Sequence, residues 1–157
     1  MQSSIEGKGM FAIEDIREGE TIVIWGDGYT DRLGAEKAKR GGKGTMQWDD
    51  DLFSCETGSE IDQEPYAINH SCDPNAGMSD AFTIVAMKNI GVDEEVTMDY
   101  VLFWEADEEE VSEWECRCGS PLCRGRLTGK DWQDSELQKR YLGYFSPLIR
   151  KRIEHVK

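Results

Sequence analysis

Cys116-Arg117-Cys118, followed after four residues by Cys123, places three thiols within eight positions of a 157-residue chain. They cannot all pair with one another, and Cys-x-Cys is poor geometry for a disulfide. Together they can wrap one zinc ion, which takes four tetrahedral ligands and prefers thiolates in structural sites. A fourth ligand has to come from elsewhere, so the fold must return a distant segment to this loop. Cys72, Cys55 and His70 are the contenders. Cys72 is favoured, because the turn sequence Asp73-Pro74-Asn75 aims it outward, away from its polar neighbours. Cys55 is then left as a small buried hydrophobe.

The run Asn69-His70-Ser71-Cys72-Asp73-Pro74-Asn75 is the second dense stretch. Ile68 leads into it and a turn follows, so Asn69 and His70 are predicted at the end of a short buried element. Every donor and acceptor of a buried Asn-His pair wants a partner, which marks a ligand-facing site. On this stretch alone a satisfied core histidine beside a turn reads equally well.

No run approaches the roughly 18–20 apolar residues that a membrane span needs, and the first residues carry no signal pattern. The expectation is an intracellular protein, cytoplasmic or, in a eukaryote, nuclear, whose thiols stay reduced and read as metal ligands. The length suits one domain. With 32% charged residues and a net charge of −14, the surface argues against direct nucleic-acid binding and suits a basic partner such as a lysine-rich protein tail.

Short strands are predicted at residues 9–12 and 21–25, then at 82–87 and 95–100, the second pair separated by a turn through Gly91 and Asp93. Residues 26–51 are polar and glycine-rich, with a short helix over 31–39, and read as an insert rather than core. The acidic run 105–115 reads as a solvated loop. In the tail, Asp134 or Ser135 caps a helix carrying Leu137, Tyr141 and Leu142 on one face. Ser146-Pro147 starts a second helix with Leu148, Ile149 and Ile153 inward.

Taken in order, Gly7-Lys8-Gly9-Met10-Phe11-Ala12, Ile16 with Gly19-Glu20, Asn69 through Asn75, Ala86, Ile90, Glu94-Glu95-Val96-Thr97-Met98-Asp99-Tyr100 and Cys116-x-Cys118-x4-Cys123-Arg124-Gly125 form a specific set. In these residues the chain resembles the SET-domain protein lysine methyltransferases, over roughly residues 5–127. The resemblance implies a mainly β fold with α, of the β-clip type. Small antiparallel sheets surround a knot-like active site where the Asn-His and Asp99-Tyr100 segments meet, a rare exception to unthreaded chains. It implies a SET domain over 1–115 with an insert at about 26–60, a post-SET zinc-binding loop over 116–128, and a helical tail over 129–157 packed on the domain. The tail, the compact insert and the missing cysteine-rich pre-SET segment are similar to the short SET proteins of bacteria and archaea.

Carried over by resemblance, the cofactors are S-adenosylmethionine and one structural zinc. Lys8, Gly9 and Met10 meet S-adenosylmethionine through their backbone, Asn69 and His70 hold its amino-acid and adenine ends, and Leu122 closes over the adenine. Tyr66, where the family often has Arg, is counted with these cofactor-binding residues. Tyr100 is the catalytic tyrosine and also touches the cofactor. Cys72, Cys116, Cys118 and Cys123 are the metal ligands. The position two before the tyrosine, commonly Phe or Tyr and tied to the number of methyls added, is Met98, which has no hydroxyl to restrain higher methylation. The implied activity is methyl transfer to lysine of a basic protein, a histone among the possibilities. A catalytically inactive SET-fold peptide-binding module is the alternative. A cysteine hydrolase using His70 ranks last, because Cys72 two positions on is poor nucleophile-base geometry and zinc would consume the thiol.

Overall fold

The computed structural model describes residues 1–24, 28–43, 45–55, 68–104 and 113–156. Strand β9 (Glu95–Met98) is the hub. On one side it pairs antiparallel with β1 (Met10–Phe11), Met10 opposite Val96. It also runs parallel to β6 (Asn69–His70) and β7 (Ala76–Met78), one on each edge, with His70 and Ala76 both opposite Met98. The sheet continues antiparallel through β8 (Thr83–Ala86) to β2 (Thr21–Ile24), whose β-branched residues suit a pleated, half-buried surface. The expected small antiparallel sheets are thus present, and parallel pairing occurs where the Asn-His segment and the segment leading to Tyr100 lie side by side.

Asn75 ties the segment between β6 and β7 to β9. The Asn75 side chain is buried and does not close its own turn as the sequence suggested. Its Nδ2 donates to the Glu95 carbonyl (2.8 Å) and the Glu94 carboxylate (3.0 Å), and its Oδ1 accepts from Thr97 N–H (2.8 Å). It therefore pairs polar groups of β9 and of the residue before it. Asn75→Ala leaves at least two of them unpaired, at about 1–3 kcal/mol each when buried, so unfolding stability should fall by about 2–4 kcal/mol in denaturant titration.

The predicted helix is α1 (Arg32–Arg40), capped by Asp31, whose Oδ1 accepts from Gly34 N–H. It lies on a second sheet, ordered β3 (Tyr29–Thr30), β5 (Leu52–Cys55), β4 (Thr45–Asp49). This region is more than an insert: Trp48 is buried in the main core and its Nε1–H donates to Ser54 Oγ (2.8 Å). Cys55 stands half-buried in β5, less enclosed than expected.

Part of the acidic run is also not loop. Residues 113–115 form β10 (Glu113–Glu115), paired antiparallel with β11 (Arg126–Thr128), so this hairpin clasps the cysteine loop at its base. The remainder of that run, 105–112, lies outside the described residues.

Both tail helices form. Helix α2 (Ser135–Arg140) is capped by Asp134, and α3 (Pro147–Val156) begins at its proline, with Ser146 Oγ accepting from Ile149 N–H (3.3 Å). Leu148, Ile149 and Ile153 point inward as expected. Leu142 does not: α2 stops at Arg140, so Leu142 falls outside the helical period and is 82% exposed. The tail is tied to the body by Ser146 N–H to Leu102 O (2.7 Å), Met78 N–H to Tyr144 O (3.0 Å) and Lys151 to Asp49 (2.6 Å). Among the described residues no helix is long and apolar enough to cross a membrane.

Candidate active site

β6, the turn after β9 and the cysteine loop enclose a cavity of about 340 Å³, within the usual size of small-molecule sites. Asn69, His70 and Tyr100 line it, together with Ile5, Glu6 and Trp114.

Asn69 is held by its amide nitrogen. Nδ2 donates to the Glu95 carboxylate (2.7 Å), the Glu6 carbonyl (3.1 Å) and the Lys8 carbonyl (3.2 Å). With every acceptor on Nδ2, the atom Asn69 can offer a ligand is its carbonyl oxygen, which suits a cationic amine. The other Glu95 oxygen accepts from Ser3 Oγ (2.9 Å), and Gly9 lies so close that a Cβ there would collide with this carboxylate. Glu95 thus orients Asn69 and binds the arm over residues 1–9 to it. Glu95→Ala should raise the dissociation constant of the ligand that Asn69 contacts about tenfold, about 1.4 kcal/mol of lost preorganisation, with turnover at saturation little changed. Calorimetry alongside initial rates checks this.

His70 is buried, and burial pushes its imidazole down to about 4 against the pull of the Asp99 charge. The neutral ring has one tautomer that fits. Tyr100 N–H donates to Nδ1 (3.2 Å), so the proton sits on Nε2, 3.2 Å from Cys72 Sγ. His70 is therefore a hydrogen-bond donor to that sulfur. Ligating a metal through Nε2 would move the proton to Nδ1, against the Tyr100 N–H.

Tyr100 opens a 3₁₀ turn (Tyr100–Leu102) directly after Asp99. Its hydroxyl donates to the Ile68 carbonyl (3.2 Å), and burial, with the Glu6 charge adding, pushes its ionisation up to about 12. It stays protonated at neutral pH. The His70, Phe103 and Trp114 rings stand 5.2, 5.4 and 5.4 Å away, centroid to centroid.

The cysteines gather beside this cavity. Cys72 is fully buried rather than aimed outward, and its Sγ lies 3.7 Å from Cys116 Sγ. A tetrahedral zinc with Zn–S near 2.3 Å has sulfurs about 3.8 Å apart, so the spacing fits. Ligand atoms of His70, Cys72, Cys116 and Cys118 lie within 4.8 Å of one another, and the Cys123 thiol reaches Cys116 and Cys118. Backbone N–H groups point at the sulfurs: Arg124 N to Cys72 Sγ (3.4 Å), Gly125 N to Cys123 Sγ (3.4 Å) and Cys72 N to Cys118 Sγ (3.5 Å). The cluster is compatible with a metal site.

Several of the candidate cofactor residues have partners within the chain or lie away from this cavity. Gly9 N–H donates to Met1 O and its carbonyl accepts from the Met1 amine, while the Lys8 carbonyl takes Asn69, so these backbone groups are already engaged. Met10 packs against the core. Leu122 is 48% exposed and does not line the cavity, where Leu127 does. Met98 is buried in the core and does not line it either. Tyr66 lies outside the described residues. Trp114, Glu6 and Glu95 had no assigned role from the sequence; the signal for Trp114 was a lone aromatic inside an acidic run two residues before the first loop cysteine.

The SET domain profile matches residues 7–101. The H3 lysine-4 specific histone-lysine N-methyltransferase of Saccharomyces cerevisiae is 30% identical over 142 residues, covering 80% of this chain and 13% of that protein. The chain spans about one-seventh of the length of such curated relatives. Among solved structures, the methyltransferase domain of human histone-lysine N-methyltransferase SETMAR superposes with a TM-score of 0.57 at 17% identity, over 80% of this chain and 55% of that one. KRYPTONITE, solved in complex with mCHG DNA and SAH, gives 0.58 at 21% identity, over 80% of this chain and 27% of that one. The structural likenesses speak for the fold.

Proposed function

Because the chain belongs to the SET domain family, we propose that it transfers methyl groups to the side-chain amine of lysine in a protein substrate. The observation that carries this reading is the convergence of Asn69, His70 and Tyr100 on one cavity of ligand size. S-adenosylmethionine, when bound, supplies an electrophilic methyl on a sulfonium. Asn69 would meet its amine through Oδ1, and His70 and Tyr100 would form the adjoining wall. Lys8 would contribute by holding Asn69 and Gly9 by its close approach to Glu95, while Met10 seats the arm on β9.

The substrate amine has to be neutral to attack. For lysine with pKa near ~10.4 this costs about 4.6 kcal/mol at pH 7. Desolvation on entering the site and repulsion from the cofactor's sulfonium would disfavour the ammonium form, so no strong general base is required. Alignment at near-attack distance then supplies most of the acceleration, about 7–11 kcal/mol being available from positioning. The protonated Tyr100 hydroxyl, fixed on the Ile68 carbonyl, keeps the reacting groups in line. A net charge of −14, with Glu6 on the cavity wall, supports a basic lysine-bearing partner, a histone tail among them. Such a substrate implies action inside the cell, in the cytoplasm or a nucleus.

The division into a SET unit over 1–115, a zinc loop over 116–128 and a tail over 129–157 accompanies this proposal. The zinc ligands are Cys72, Cys116, Cys118 and Cys123; the His70 tautomer supports the four-thiolate set. These thiolates would hold a structural zinc that crosslinks the loop to the segment following β6.

The test is calorimetric titration of S-adenosylmethionine into zinc-replete protein, followed by methyl transfer to mixed core histones. Saturable binding with transfer to lysine supports the proposal. Peptide binding without cofactor binding would make this an inactive docking module.

A further inference from the structure

Asp99 is the fully buried carboxylate among the described residues. Three parts of the chain converge on it. From the cysteine loop, Arg124 grips it with both terminal guanidinium nitrogens, Nη1 to Oδ2 (2.5 Å) and Nη2 to Oδ1 (2.8 Å). From the tail, the Tyr141 hydroxyl sits between Asp99 Oδ2 (3.0 Å) and the Cys72 carbonyl (3.2 Å). From its own segment, Val101 N–H donates to Oδ1 (3.1 Å), and Leu102 N–H to the Asp99 carbonyl (3.0 Å), so the turn carrying Tyr100 hangs from this residue.

Arg124 joins two layers at once. Its backbone N–H meets Cys72 Sγ while its side chain holds Asp99. A buried ion pair is weak evidence for stability, since well-packed apolar residues of similar volume often do as well or better. What an apolar pair could not supply is fixed direction: a bidentate guanidinium-carboxylate contact sets both partners in one plane. The loop that must close around its thiols is thereby linked, through one rigid pair, to the residue preceding Tyr100.

We propose that Arg124 is a positioning residue that makes the placement of Tyr100 depend on closure of the cysteine loop. The proposal rests on the methyl-transfer reading above. It acts through Asp99 and touches neither substrate nor cofactor.

The experiment compares zinc-replete wild type with Arg124→Met, Arg124→Lys and Tyr141→Phe, measuring zinc content, S-adenosylmethionine affinity, and kcat on core histones. In Arg124→Met, kcat should fall about 10²-fold, the cost of roughly an ångström of misplacement, with zinc content unchanged and cofactor affinity within about threefold. Arg124→Lys should recover part of that loss, and Tyr141→Phe, which removes one hydrogen bond from the same carboxylate, should lower kcat about three- to tenfold. A second readout needs no turnover. With ring-labelled tyrosine, zinc should shift the Tyr100 resonances of the wild type more than those of Arg124→Met at equal occupancy.

Wild-type kcat in Arg124→Met, or equal zinc-induced Tyr100 shifts in both proteins, would overturn the proposal. If Arg124→Met fails to fold, Tyr141→Phe decides, and a kcat equal to wild type there would overturn it too. Absence of methyl transfer in the wild type itself would instead refute the functional reading, and the tyrosine resonances would still report whether Arg124 couples loop to turn.

Discussion

Tyr100→Phe is expected to lower kcat by about 10²- to 10³-fold while leaving S-adenosylmethionine affinity within a few-fold of wild type, as when one preorganised hydrogen-bonding group is removed from a reacting centre. The ring stays packed against His70, Phe103 and Trp114, so the cavity keeps its wall. Lost is the hydroxyl that is fixed on the Ile68 carbonyl. Calorimetry and initial rates on the same preparation separate the two effects; a parallel loss of affinity would give the hydroxyl a binding role instead. The pH profile adds a signed check. Because burial pushes Tyr100 up to about 12, its ionisation should not cut the rate below about pH 11. The neutral fraction of substrate lysine grows towards its pKa near ~10.4, so the rate should climb through the alkaline range. A turnover near pH 9 that Tyr100→Phe abolishes would contradict this assignment.

Removing zinc should be the more damaging change. Burial pushes the Cys72 thiol up to about 11 and Cys116 further in the same direction, so without a cation these thiols favour their protonated forms. A dication at their centre would favour four thiolates and make the cluster a crosslink, as proposed above. Chelation should therefore open the loop, lower cofactor affinity at least about tenfold and reduce Tm by about 10 °C, equivalent to about 3–4 kcal/mol in a domain of this size. Cobalt substitution reads the ligand set directly. Cys72→Ser, Cys116→Ser, Cys118→Ser and Cys123→Ser should each weaken the thiolate charge-transfer band, whereas His70→Asn should keep a tetrahedral four-sulfur spectrum. Persistence of that spectrum in Cys123→Ser, with its loss in His70→Asn, would reverse the assignment.

What was legible in the sequence was whatever local patterning or dense chemistry could carry. The strands around residues 10, 22, 84 and 96, the Asp31 and Asp134 caps and the Ser146-Pro147 start came from turn residues, β-branching and capping rules. Counting zinc ligands called for a distant fourth partner and left Cys72, Cys55 and His70 open; the family resemblance singled out Cys72, whereas the outward aim read from its turn does not hold. Long-range partners left no local mark. Asn75 looked like a turn-former because asparagine usually is one; its role as a bridge to β9 depends on a strand 20 residues away. Likewise Asp99 and Arg124 stood in quoted motifs without a visible link, because 25 residues separate two charges that meet only once the loop has closed. Leu142 failed for a simpler reason: the helical period was extended past the point where α2 stops.

The Tyr141 hydroxyl lies beside the carbonyl of Cys72, 69 residues earlier in the chain, and beside Asp99, 42 residues earlier. Contacts of such separation are slow to form, since loop-closure entropy is spent before any of them stabilises the product. During synthesis, β6, β9 and the cysteine loop leave the ribosome before the segment that joins them at Asp99. Until Tyr141 emerges, the nascent chain lacks the hydroxyl that ties Asp99 to the Cys72 carbonyl. Assembly order, as much as final stability, makes the tail the part on which correct maturation of the site waits.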